Sequence, residues 1–332
     1  MINSILDPQE SDIDSELAVA EKSLRPQRLS ELIGRAKEKH NLNVMIQAAK
    51  QRDEALDHIL LHGPPGLGKT TIAQIIANEI GSEFYSTSGP AIERKGDLVS
   101  ILSNIPAKGI MFIDEIHRLN KSIEEMLYSA MEDRKIDIVI GKGPSARTLK
   151  LDLNPFTIIG ATTRVGMLSS PFRDRFGVDM YLDYYSYDEL QELITQKAKI
   201  LNIQIDQAAA KEIAQRARRT PRIAIRLLKR VRDLAEVEQS GKIDIETVER
   251  GLKMVEVDKY GLDNLDRKIL STMVKTFNGG PVGLNTLAAA LSADLDTISD
   301  VYEPFLIKEG FIIRTPKGRI VTEKTNNYLF AK

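Results

Sequence analysis

One stretch limits the fold more than any other. Gly63-Pro64-Pro65-Gly66-Leu67-Gly68-Lys69-Thr70 fits G-x-x-x-x-G-K-[ST] at every fixed position. It stands between a short apolar run at 58–63 and an amphipathic stretch that reads as a helix over Lys69–Ile80. A glycine-rich turn there lets backbone N–H groups close around phosphate oxygens, and the helix start adds the positive end of its dipole. The arrangement needs a strand feeding directly into a helix, so it commits the surrounding chain to an α/β layout. In that setting Lys69 reaches the β- and γ-phosphates of a nucleotide, and the Thr70 hydroxyl binds Mg2+.

Further apolar runs at 109–114 and 156–163 alternate with amphipathic segments, the pattern of parallel strands covered on both faces. The run at 109–114 ends in Asp114-Glu115. An acid at such a strand end is placed to hold the Mg2+ shell, and its neighbour to polarise an attacking water. Asp114 takes the first role and Glu115 the second. The third run ends in Thr162-Thr163, at the edge where open α/β sheets bind ligands. Thr163 is either a sensor of the γ-phosphate or an ordinary strand-end threonine, and spacing alone does not choose. Ser170-Pro171-Phe172-Arg173-Asp174-Arg175 offers two arginines on a loop. One acting in trans stabilises phosphoryl-transfer charge, whereas a surface ion pair is the plainer reading.

At 332 residues the chain exceeds what one core of about 250–300 residues fills. Four segments are expected: a flexible tail at 1–22, a large ATPase domain at 23–184, a small helical domain at 185–257 and a winged-helix head at 258–332. Inside the large domain, alternation at 135–140 and 147–151 around Gly141–Ala146 turn chemistry predicts an inserted hairpin, about 135–151. Its apolar face, Ile136, Ile138, Ile140, Leu149 and Leu151, either rests on its own domain or projects to dock a partner. Thr220-Pro221 marks a helix start in the small domain. The head reads as helices over 266–277, 284–291 and 297–309, then strands at 311–315 and 319–322 around Pro316-Lys317-Gly318. Three helices and a hairpin make a winged helix.

The chain has no Cys, and its four His never take a metal-ligand spacing, so thiolate and zinc chemistry are not expected. No apolar run reaches the roughly 18 residues of a membrane span. The start lacks a signal-peptide order, so a cytoplasmic location is expected. Net charge is −1, yet Lys308, Arg314, Lys317, Arg319, Lys324 and Lys332 face only Glu309 and Glu323 at the C-terminal end. Local clusters of this kind, not the total, set affinity for nucleic acid.

GPPGLGKTT, FIDEIHRL, MEDRKIDIVIGKGPSAR, GATTR, SSPFRDRFG, TPRIAIRLLKRVRD and GFIIRTPKGR occur in one order. Together, from about 24 to about 328, they resemble the RuvB family of AAA+ motors. The resemblance implies an α/β P-loop AAA+ domain with a helical lid and a winged helix. The implied activity is ATP hydrolysis with Mg2+ that drives branch migration of Holliday junctions in recombination and DNA repair. It also implies a homo-oligomeric ring, a hexamer, working on DNA phosphates without sequence preference. A RuvA-like junction binder docks on the 135–151 hairpin, and a RuvC-like resolvase joins the complex. Nucleotide contacts implied by position are Leu24, Arg25, Gly66, Lys69, Thr70, Thr71, Glu132, Asp133, Arg134 and Tyr185. Thr163 corresponds to the first sensor, Arg222 to the second and Arg175 to the finger reaching a neighbour's γ-phosphate. Arg314 and Arg319 correspond to the DNA-contacting arginines, both pointing from the wing. A clamp loader or another AAA+ remodeller shares everything up to the lid, but the hairpin and the winged helix speak against it. A non-hydrolysing nucleotide switch is opposed by the intact Asp114-Glu115 pair and Arg175.

Overall fold

The computed structural model describes residues 24–140, 147–238 and 241–330, so the expected tail at 1–22 and the turn at 141–146 lie outside the described residues. The rest falls into two compact units, residues up to His62 with Lys69–Tyr181, and Gly63–Gly68 with Leu182–Lys332.

In the first unit, β1 (Ile59–His62), β2 (Phe84–Ser88), β3 (Ile110–Asp114), β6 (Thr157–Thr162) and β7 (Val178–Tyr181) form one sheet. A separate hairpin pairs β4 (Lys135–Ile140) with β5 (Arg147–Asp152). The sheet order is β2-β3-β6-β1-β7, with every pair parallel. The three apolar runs read from sequence are its three inner strands. The two edges, FYSTS and VDMY, add strands that the sequence does not announce, because edge strands mix polar and apolar residues and carry little periodic signal. Helix Lys69–Ile80 follows β1 through the glycine loop and buries Ile72, Ile75 and Ile76. A core of Leu98, Met111, Ile113, Ile123, Leu127 and Ile158 continues out to the hairpin through Ile136, with Ile138 and Leu151 packed against it.

The second unit opens its helical part with Tyr187–Ile200, started by a reciprocal capping box between Ser186 and Glu189. Helices Gln207–Arg216, Pro221–Val237 and Ile245–Met254 follow, with short parallel strands β8 (Gln204–Ile205) and β9 (Lys242–Ile243). The Thr220 side chain caps helix Pro221–Val237 and Pro221 takes its first turn. The head contains helices Asn264–Lys275 and Leu284–Leu291, then the wing strands β10 (Ile312–Thr315) and β11 (Gly318–Val321). Its core is built on Leu262, Ile269, Leu270, Leu306 and Phe311. The single helix expected over 297–309 is two pieces, a π-helical turn Thr297–Tyr302 and a helix Glu303–Lys308. Pro304 has no N–H to give the preceding turn, which breaks the regular ladder there. A last helix, Glu323–Phe330, lies beyond the expected elements; its weakly patterned polar sequence buries only Thr325 fully.

Candidate functional site

The C-terminal ends of β3, β6 and β1 lie side by side in the first unit, because these strands are neighbours and parallel. Asp114 closes β3, half-buried, and its Oδ1 accepts the N–H of Glu115 at 2.9 Å. Glu115 takes φ 49°, a left-handed conformation uncommon for a residue with a side chain. A Cβ on Gly89 would collide with the Glu115 carbonyl oxygen, so two backbones meet there at a distance only glycine admits. That approach pins the Glu115 backbone, while its carboxylate stays exposed and accepts from Arg118 Nη1 at 3.1 Å. Thr162 ends β6 fully buried, with its hydroxyl 2.9 Å from His117 Nδ1 and accepting the N–H of Arg164. Thr163 follows, half-buried. Reading the sequence missed Thr162 and His117. The signal for them was alternation, since consecutive strand residues face opposite sides and only one threonine faces the helical turn that carries His117. Lys69 is buried at the start of helix Lys69–Ile80, and Thr70 and Thr71 are half-buried beside it.

A second group gathers elsewhere in this unit. Arg175 donates to the Tyr128 hydroxyl, lies 4.5 Å over the Tyr128 ring and pairs with Glu132 at 3.0 Å. Arg134, left-handed at the end of helix Lys121–Asp133, lines with Arg175 and His58 a cavity of about 240 Å3. Glu132, Arg134 and Arg175 are thus brought together, and Asp133 is exposed next to them. At the start of the described chain Leu24 is buried and Arg25 exposed.

In the second unit, Gly66 adopts φ 78° and a Cβ there would stand 3.3 Å from the Cβ of Arg222. The Arg222 N–H donates to the Gly66 carbonyl at 3.4 Å, and its side chain is exposed. Buried Tyr185 is clamped through its backbone: its N–H donates to the Arg219 carbonyl at 3.1 Å and its carbonyl accepts from Arg219 Nε at 3.0 Å. On the wing, Arg314 and Arg319 sit opposite each other across β10 and β11. They differ in every other respect. Arg314 is exposed, whereas Arg319 is buried and donates from Nε and Nη2 to the equally buried Glu303, at 2.7 Å for the shortest bond. The expectation that both arginines point out from the wing is therefore corrected for Arg319. Its guanidinium is consumed by a bidentate pair, which satisfies it more completely than an exposed tip would.

These residues fit the groups the motif implies. Gly66 is left-handed where a Cβ would press on Arg222, and the helix of the first unit opens with Lys69, Thr70 and Thr71. Among the described residues no three or more His, Asp or Glu are gathered to hold a metal. Thr70 and Asp114 are a sparse donor set of the kind Mg2+ uses when phosphate oxygens and water complete its shell.

A parallel sheet in this order, a phosphate loop, paired acids at a central strand end and a winged-helix head together define a P-loop ATPase of the AAA+ class. Residues 24–182 match the Holliday junction DNA helicase RuvB P-loop domain, 185–258 the RuvB AAA lid domain and 259–330 the RuvB C-terminal winged helix domain. The chain is 54% identical over 325 residues to the Holliday junction branch migration complex subunit RuvB of Koribacter versatilis, covering 98% of this chain and 89% of that protein. It also resembles the solved Thermotoga maritima RuvB Holliday junction branch migration motor, with 49% identity, a TM-score of 0.86, and coverage of 92% of this chain and 98% of that one. A solved mutant of the same Thermotoga protein gives 50% identity and a TM-score of 0.87 over the same shares. The chain belongs to the RuvB family.

Proposed function

We propose that this chain is the ATP-driven motor of Holliday-junction branch migration, working in the cytoplasm as a homo-hexameric ring on DNA phosphates. The observation that supports this most directly is the Asp114-Glu115 pair at the end of a central strand, with Glu115 pinned by Gly89. A chain that only bound nucleotide would need neither the second acid nor its fixed backbone. Mg2+, when bound, would supply charge neutralisation to the transferring phosphoryl group. Thr70 and Asp114 hold that ion, and Lys69 donates to the same phosphates. Glu115 orients the attacking water and accepts its proton, while Thr163 senses the γ-phosphate. Arg175 leaves Glu132 and Tyr128 to stabilise charge on a neighbouring protomer's ATP, which makes turnover depend on assembly. Leu24, Arg25, Thr71, Glu132, Asp133 and Arg134 are proposed nucleotide contacts of the first unit; Gly66, Tyr185 and Arg222 are those of the second. The hairpin at 135–151 docks a RuvA-like junction binder, a RuvC-like resolvase shares the complex, and Arg314 contacts DNA backbone. Arg319 serves that contact by fixing the strand opposite Arg314.

The test is ATP turnover with and without junction DNA and a RuvA-like partner, on the wild type and Glu115→Gln. The variant should bind ATP but hydrolyse it at least roughly a hundredfold more slowly, the loss expected when general-base help is removed. Comparable rates would strip Glu115 of its role.

A further inference from the structure

Arg218 and Arg219 are consecutive residues with left-handed backbones, φ 49° and 56°, in the loop between helices Gln207–Arg216 and Pro221–Val237. Side chains with this conformation persist where their surroundings over-determine it. Arg219 is held by Tyr185, as described. Arg218 is held by the head: Nε donates to the Gly261 carbonyl at 3.0 Å, and Nη2 pairs with Asp263 at 2.7 Å and with Asp266. Its guanidinium also lies 5.3 Å from the Tyr302 ring and 5.2 Å from the Phe305 ring.

The cluster is costly and therefore specific. Asp266 is wholly buried and its Oδ1 has no hydrogen-bond partner. Burial pushes its carboxyl up to about 7 against the opposing pull of Arg218. Such a group is tolerated only while its partner stays in place. Among the described residues, Arg218 and Asp266 make one buried ion pair and Glu303 and Arg319 another, and the link between them is the contact of Arg218 with the Tyr302 and Phe305 rings. At one end the loop carries Thr220 and Arg222, whose N–H donates to Gly66 of the phosphate loop. At the other, Glu303 lies between Tyr302 and Phe305 in sequence and pairs with Arg319, opposite Arg314 on the wing.

We propose that Arg218 is the positioning residue through which the nucleotide-facing loop at 217–222 sets the orientation of the winged-helix head, so that lid and head move as one body. Arg218 spends its guanidinium on the Gly261 carbonyl and the Asp263 and Asp266 carboxylates. Its work is to pass movement of the loop into helices Asn264–Lys275 and Glu303–Lys308, and from there into the wing. A guanidinium suits this because its planar fork reaches two carboxylates and a carbonyl at once, which an ammonium does not.

The inference rests on the motor reading, and the test separates the two. Full-length protein is assayed with junction DNA and a RuvA-like partner for two quantities, ATP turnover and DNA moved per ATP. Wild type that hydrolyses ATP without moving junctions sinks the motor reading and takes this inference with it. With an active wild type, Arg218→Ala should keep turnover within about twofold and lose roughly tenfold in DNA moved per ATP, the size of effect expected of residues that carry coupling. Arg218→Lys, which keeps the charge and guards against a folding failure, should lose about threefold. Combining Arg218→Lys with Glu303→Gln should cost no more than the worse single change, because both break one route. Turnover and movement falling in equal proportion, or losses that multiply in the double variant, overturn the proposal.

Discussion

Among the described residues two antiparallel hairpins share a topology and have opposite chemistry. In β4–β5 the pairs Ile136–Leu151 and Ile138–Leu149 run along one face. Ile136 is 1% exposed and Leu149 is 52% exposed, so the face passes from the core at one to solvent at the other. In β10–β11 the apolar pairs Ile312–Val321 and Ile313–Ile320 give way to Arg314–Arg319 before the turn. Here one arginine is sunk into the fold on an ion pair and the other left outside. The comparison teaches that a hairpin's partner is written in what its outer half exposes, because the inner half of either one is spent on its own domain. An exposed leucine continuous with the core suits a protein surface. An exposed arginine on a strand fixed by a buried ion pair suits a phosphate.

The largest effect should come from the root of the wing. Glu303→Ala leaves the Arg319 guanidinium buried without its carboxylate, a change that costs about 3–5 kcal/mol when one half of a buried pair is removed. Thermal or denaturant unfolding should show that loss. A cost below about 1 kcal/mol would place Arg319 among exposed pairs and erase the contrast between the two wing arginines. A smaller effect is expected at the other hairpin. Leu149→Glu removes an apolar anchor worth about 1.5–3 kcal/mol when buried by a partner. Affinity for a RuvA-like protein should fall by at least roughly tenfold, with the melting temperature unmoved because the side chain is exposed in the free protein. Unchanged affinity would return this hairpin to a purely internal role.

Much of this is legible without any coordinates. The phosphate loop, the acid pair and the inner strands announce themselves through composition and period, since burial on both faces leaves little choice of residue. The helix starting at Lys69 and the one started by Thr220-Pro221 are readable because their signals are local. What escapes depends on distance in the chain. Nothing near Arg319 says that Glu303, on a separate helix, will take its charge. Nothing near Thr162 points to His117. The basic run 216–232 tempts as a second DNA surface and reads mostly as solvated lid and interface charge, which fits Arg230, more than half exposed and paired with Asp233. Earlier in the same run stands Arg218, whose partners lie more than forty residues on. Local patterning records which face is apolar; it does not record which buried acid a given arginine will meet.

The smallest expected effect is the one that most sharply tests how the wing divides its labour. Arg314→Ala should weaken DNA binding about equally for every sequence and make the plot of log affinity against log salt shallower by about one. That single unit corresponds to one lost phosphate contact. Stability should hardly change, since Arg314 is exposed. Arg319→Ala should behave in the reverse way, with unfolding affected and the salt slope altered only as far as the wing loosens, because its charge is already neutralised by Glu303. If the two substitutions instead lowered the salt slope equally, Arg319 would have to leave Glu303 when DNA binds. The pair at the root of the wing would then be a latch that DNA opens, and the division between an outer arginine that binds and an inner one that braces would fail.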